Sequence, residues 1–164
     1  MSPARAIVVF GSFSAALLAM LIGNMTHSHI APASERIDDG VTLWLVFGFP
    51  AAIAAALATW WLSSDEYWWP SQMSFAQILG FSVRCVGLAC LLLIPIQLIF
   101  GLLHALSNAF FAHQSHASGD FALSVLSFPI VDAIAILFGF LPALILQTVV
   151  VLSARAVEKW LGYA

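Results

Sequence analysis

Charged residues are scarce in this chain. Five of the 164 residues are Lys or Arg and eight are Asp or Glu, which is 8% of the sequence, whereas 62% of the residues are hydrophobic. A soluble domain has about a quarter charged residues and about half apolar ones. This composition excludes an ordinary water-soluble domain. The few dispersed cations also form no basic patch, so nucleic acid is not an expected partner.

Cysteine and the usual catalytic motifs are scarce as well. The two cysteines, Cys85 and Cys90, lie five residues apart, and on a helix they point in directions that differ by about 140°. We interpret them as small apolar packing residues. No nucleophile elbow, phosphate-binding glycine loop or pair of catalytic carboxylates is present, so an enzyme with the chemistry of soluble proteins is not expected.

Long apolar stretches are what the sequence has instead. Four of them contain the about 20 residues that a helix needs to cross about 30 Å of hydrocarbon. They predict transmembrane helices at about 6–25, 41–62, 85–107 and 133–153. Helices are required because lipid leaves unpaired backbone groups unsolvated, and the alternating strands of a barrel are absent. The predicted fold is an all-α, polytopic membrane protein, with residues 1–164 as one membrane domain.

The distribution of cations predicts the orientation, because Lys and Arg accumulate on the cytoplasmic side. Four of the five fall on one side of the predicted spans: Arg5, Arg84, Arg155 and Lys159. Both termini are therefore expected in the cytoplasm. This topology gives outer loops at 26–40 and 108–132 and a cytoplasmic loop at 63–84. The compact chain has no eukaryotic targeting signal, which suits a bacterial inner membrane.

Residues 75–83 have two interpretations. They lie along the membrane surface, so that Arg84 begins the third span, or the third helix begins at Phe75. The second arrangement would bury Arg84 at a cost of several kcal/mol unless it is paired. We favour the surface segment on sequence alone.

Histidine collects on the predicted outer side. All five histidines belong there, together with an aspartate at the start of the fourth span: His27, His29, His104, His113, His116 and Asp132. Imidazole and carboxylate are ligands for transition metals such as Zn or Cu. The sequence therefore allows a metal site on this side. The alternative is that these residues are the ordinary polar side chains of short loops.

A polar face runs along the third predicted helix. Gln97, His104 and Asn108 share one side of it, with Gly101 between them. Such a face must contact protein or water, because acyl chains cannot satisfy its hydrogen bonds. We interpret His104 mainly as a hydrogen-bonding residue supported by Asn108 or Asp132. An axial haem ligand or a proton or metal relay are the alternatives.

The second predicted helix has many small residues, among them Ala51, Ala55 and Ala58. Small side chains let transmembrane helices approach closely. Three functions follow from the whole pattern. We favour an accessory or scaffold subunit that packs with other membrane subunits or with copies of itself. The alternatives are an outer-side metal-binding or transport protein, and a subunit that holds haem or quinone in a redox chain.

Overall fold

The chain folds into helices wherever its structure is described. The computed structural model describes residues 3–30, 48–64, 70–111 and 117–162. Within these ranges there is no strand, which confirms the all-α prediction. The helices are α1 (Pro3–Ile30), α2 (Phe49–Leu62), α3 (Phe75–Phe111) and α4 (Ala117–Trp160), with a 3₁₀ helix at Pro70–Gln72 before α3.

Three of the helices contain segments long and apolar enough to cross a membrane. These segments are Pro3–Gly23, Phe75–Leu103 and Ile136–Trp160. They support an integral membrane protein. The 14 residues of α2 extend about 21 Å, which is shorter than the about 30 Å of a hydrocarbon core. The second predicted span began at 41, and residues 41–47 lie outside the described part of the chain.

The four helices surround a common centre. Each helix packs mainly against two neighbours, in the cyclic order α1, α2, α3, α4. One core cluster lies at the end of the bundle that holds residues 3–5 and 158–160, which we call the terminal end: Ala4, Val8, Ile78, Val151 and Ala154. A second cluster lies deeper: Ala51, Ala54 and Leu93.

The start of α3 is fixed by a reciprocal pair of hydrogen bonds. The backbone N–H of Ser74 donates to Oε1 of Gln77 at 2.7 Å, and the N–H of Gln77 donates to Oγ of Ser74 at 3.3 Å. This is a capping box, and Met73 packs beside Ile78 just outside it. Residues 75–83 therefore belong to α3 and are not a separate surface segment. Arg84 lies inside the helix, and its side chain is exposed on the surface of the bundle. Its depth in the membrane stays a prediction.

The long helices extend beyond their apolar segments. The 44 residues of α4 measure about 66 Å, roughly twice the hydrocarbon thickness. Pro129 and Asp132 both lie within this helix, whereas the sequence placed them in or next to an outer loop. Apolar length predicts only the part of a helix that meets lipid, so both long helices are longer than their predicted spans.

Candidate functional site

A cavity lies at the centre of the bundle and is lined by all four helices. Its empty volume is about 590 Å³, and this figure includes space that is open to the exterior. Seven of its eighteen lining residues are alanines. Its apolar wall and its position between all four helices make this cavity the candidate site.

The alanines of α2 explain why the centre stays open. Ala51 and Ala58 are buried inside the bundle, and Ala55 lines the cavity. Small side chains bring the helix backbones close but leave the central space unfilled. The face of α2 that was predicted for helix packing therefore meets the other helices of its own chain.

Polar groups line one part of this apolar cavity. The hydroxyl of Thr59 donates to Oγ of Ser12 at 3.0 Å, and the hydroxyl of Ser12 donates to the carbonyl of Val8 at 2.6 Å. These bonds link α1 to α2, and they satisfy the hydroxyl groups from within the bundle. Cys85 of α3 lines the cavity beside them.

Gln147 of α4 differs from these groups. Its side chain lines the cavity and is only 4% exposed, yet its amide Nε2 has no hydrogen-bond partner in the described part of the chain. A buried donor without a partner costs about 1–3 kcal/mol, and such groups in native structures require an explanation. Gln147 is therefore the residue that singles out this site.

The cavity has a polar end and an apolar end. α1 and α4 run antiparallel, with Gly11 against Val150 and Gly139 against Ala19. This places Gln147 at the level of Ser12, on the side of the terminal end. Met20 lines the cavity eight residues further along α1, which is about 12 Å deeper. An occupant would meet hydrogen-bonding groups at one end and aliphatic side chains at the other.

Two contacts hold the terminal end of the bundle together. Nη2 of Arg5 donates to the carbonyl of Trp60 at 3.1 Å, and its guanidinium lies 5.7 Å from the centre of the Trp60 ring. Oε2 of Glu158, which is 3% exposed, accepts a 2.8 Å hydrogen bond from the backbone N–H of Ser71. These contacts join α1 to α2 and α4 to the 3₁₀ helix.

Most of the predicted metal ligands are not described at the level of side chains. His113 and His116 lie outside the described residues, and four other predicted residues lie on helices whose side chains there are not described: His27, His29, His104 and Asp132. Among the side chains that are described, no group of three His, Cys, Asp or Glu could hold a metal ion. The metal site stays a prediction, as do haem and a relay at His104.

The predicted polar face of α3 is described in part. Gln97 is fully buried, whereas the side chain of Asn108 lies outside the described part. Gln147 is not among the predicted site residues, and it is a lone amide in an apolar run of α4. An isolated polar residue in a predicted span was the available signal.

No protein-family model, curated protein or solved structure matches this chain. Its function must therefore be inferred from its own residues.

Proposed function

We propose that this protein is an accessory subunit of a larger complex in a bacterial inner membrane. It has four spans, with both termini in the cytoplasm. The described α2 forms part of the second span, which the sequence predicts over 41–62. The cations that set this orientation include Arg5 and Lys159 at the terminal end. The single observation that carries the subunit role is the outward face of α3.

The outward face of α3 is formed by Gly80, Arg84 and Gly87. Their spacing places them on one side of the helix, opposite the buried Ser82 and Cys85. A Cβ added at Gly80 or Gly87 would meet no atom within 4 Å. The face therefore combines two patches of bare backbone with an exposed cation inside a candidate span.

Arg84 needs an acceptor that the described residues do not supply. Within the described part of the chain, nothing forms a hydrogen bond or ion pair with it. A charged side chain inside a span faces a water-filled space, reaches the interface or is paired, because lipid solvates it poorly. Glycines on the same face allow another helix to approach closely. A partner helix that presents a carboxylate or carbonyl oxygen to Arg84 satisfies both features.

Site-specific crosslinking in native membranes tests this proposal. A photoreactive amino acid at Gly87 is expected to capture a discrete protein, whereas the same group at Leu137, an exposed position on α4, captures lipid. Arg84→Gln is expected to abolish the crosslinked product. Lys159→Gln, which removes another exposed cation, should preserve it.

A crosslink between two copies of this chain would identify a homo-oligomer and would also support the subunit role. Differently tagged copies distinguish this result from a foreign partner. Capture of lipid alone at Gly87 would overturn the proposal. If Arg84→Gln leaves the crosslink to a protein unchanged, then Arg84 does not bind the partner.

A further inference from the structure

We infer that the central cavity binds an uncharged, lipid-soluble molecule with a carbonyl oxygen at one end of an apolar chain. This site is separate from the outward face of α3, and the inference does not depend on the subunit role. It depends on the shape of the cavity, the chemistry of its wall and the amide of Gln147.

Gln147 specifies the polar end of the ligand. Its Nε2 is a hydrogen-bond donor, it is buried, and it has no partner in the described part of the chain. The nearby hydroxyls of Ser12 and Thr59 already donate within the bundle. Nε2 of Gln147 is therefore the donor that can bond to a ligand, and its partner must be an acceptor such as an oxygen. A carbonyl oxygen is a common acceptor in lipid-soluble molecules.

The rest of the wall specifies an apolar, uncharged ligand. Among the described residues, no Asp, Glu, Lys, Arg or His lines the cavity, so a charged molecule there would lose its hydration without gaining a counter-ion from them. From Gln147 the wall continues past Ala55, Ala143 and Met20 over about 12 Å. A depth of this size accommodates an alkyl chain of medium length.

Water alone is a poor occupant of this cavity. A buried water molecule typically needs two to four polar partners, and among the described lining residues these groups lie around Gln147. The alanine-rich remainder would leave most of the space without favourable contacts. A molecule with one polar end and an apolar chain can bond to Gln147 and also pack against the alanine-rich wall.

The two native cysteines provide a readout of occupancy. Cys85 and Cys90 both line the cavity, and the chain has no other cysteine. The rate of their alkylation by N-ethylmaleimide can therefore be followed by mass spectrometry in the unmodified full-length protein, reconstituted in lipid nanodiscs. A molecule bound in the cavity should slow this reaction.

Three probes separate the chemical features of the ligand. 2-Dodecanone carries a carbonyl at the end of an alkyl chain, dodecane lacks the carbonyl, and a fully substituted benzoquinone with a decyl tail presents a ring carbonyl. The ketone should protect the cysteines at about tenfold lower concentration than dodecane, which is the effect of one buried hydrogen bond. Stronger protection by the quinone would assign a quinone, and equal protection would assign an acyl-type carbonyl.

Variants tie this protection to Gln147. Gln147→Leu removes the donor with little change in volume, so ketone and dodecane should protect equally. The same change should raise the melting temperature of the empty protein, because it removes an unsatisfied buried donor. Thr148→Val is the matched control: its hydroxyl donates to the carbonyl of Leu144 and it does not line the cavity. Ala143→Leu should narrow the cavity one helical turn from Gln147 and weaken protection by all three probes.

Three results would overturn the inference. The first is that none of the probes slows alkylation of the native protein. The second is equal protection by ketone and dodecane in the native protein. The third is continued preference for the ketone in Gln147→Leu. Because Gln147→Leu is expected to fold at least as well as the native chain, its behaviour does not depend on loss of structure.

Discussion

Two buried polar side chains, Glu158 at the terminal end and Gln147 in the central cavity, differ in whether their end groups are hydrogen-bonded. At the terminal end, the carboxylate of Glu158 is paired with a backbone N–H of the 3₁₀ helix. In the cavity, the amide nitrogen of Gln147 has no partner in the described part of the chain. Paired groups stabilise a fold, whereas a buried group without a partner lowers stability and is typical of binding sites.

Two glycines differ in how closely other atoms approach them. A Cβ at Gly11 would lie 2.5 Å from Cγ1 of Val150, whereas one at Gly80 would meet nothing within 4 Å. The first glycine is required by the contact between α1 and α4. The second leaves backbone exposed on the outward face of α3. The molecule therefore combines a closed α1–α4 contact with two places that remain open, the cavity and the outward face of α3.

The largest effect is expected from removing the paired carboxylate at the terminal end. Glu158→Ala should lower the free energy of unfolding by about 1.5–3 kcal/mol, the value of a hydrogen bond to a charged group, because the Ser71 N–H would be left buried without an acceptor. Equilibrium unfolding in mixed micelles measures this change. The neighbouring Lys159→Ala removes an exposed charge and should leave stability unchanged. Equal effects of the two variants would show that the Glu158 contact does not stabilise this end.

The next largest effect compares Gly11, which is in close contact with Val150, and Gly80, which has free space beside it. Gly11→Ala should destabilise the protein by about 1–3 kcal/mol, since the added methyl group overpacks the contact with Val150. Gly80→Ala should stabilise it by about 0.5–1 kcal/mol, because alanine is the better helix former and has free space there. The two variants should therefore shift the unfolding midpoint in opposite directions. A shift of the same sign in both would contradict the close approach of α1 and α4.

The helical membrane architecture was predictable because apolar length is a direct consequence of the thickness of the bilayer. Three predicted spans overlap the apolar segments of α1, α3 and α4. The ends were less predictable, since hydropathy does not register the parts of a helix beyond the lipid. The start of α3 was nevertheless encoded by Ser74 and Gln77 three residues apart, a capping signal that a search for apolar runs passes over.

The candidate site was largely beyond the reach of sequence. Ala54 and Ala55 are equally small, yet Ala54 is buried in the packed core and Ala55 lines the cavity. Which outcome applies depends on the rotation of each helix about its axis, and the sequence of one helix does not contain that information. Gln147 was visible as a polar residue in an apolar run, but only the packing of four helices shows that its amide lacks a partner.

The smallest effect is expected at the start of α3, where the capping box joins Ser74 to Gln77. Ser74→Ala removes the acceptor for the Gln77 N–H, and loss of an N-cap side chain typically costs about 1 kcal/mol. Amide hydrogen exchange should accelerate in residues 74–78 before it does so deeper in α3. Ser153→Ala is the control, because this exposed hydroxyl only donates to the carbonyl of Val149 within α4. Unchanged exchange at the start of α3 in Ser74→Ala would show that packing of Met73 and Ile78, and not the capping box, sets where the helix begins.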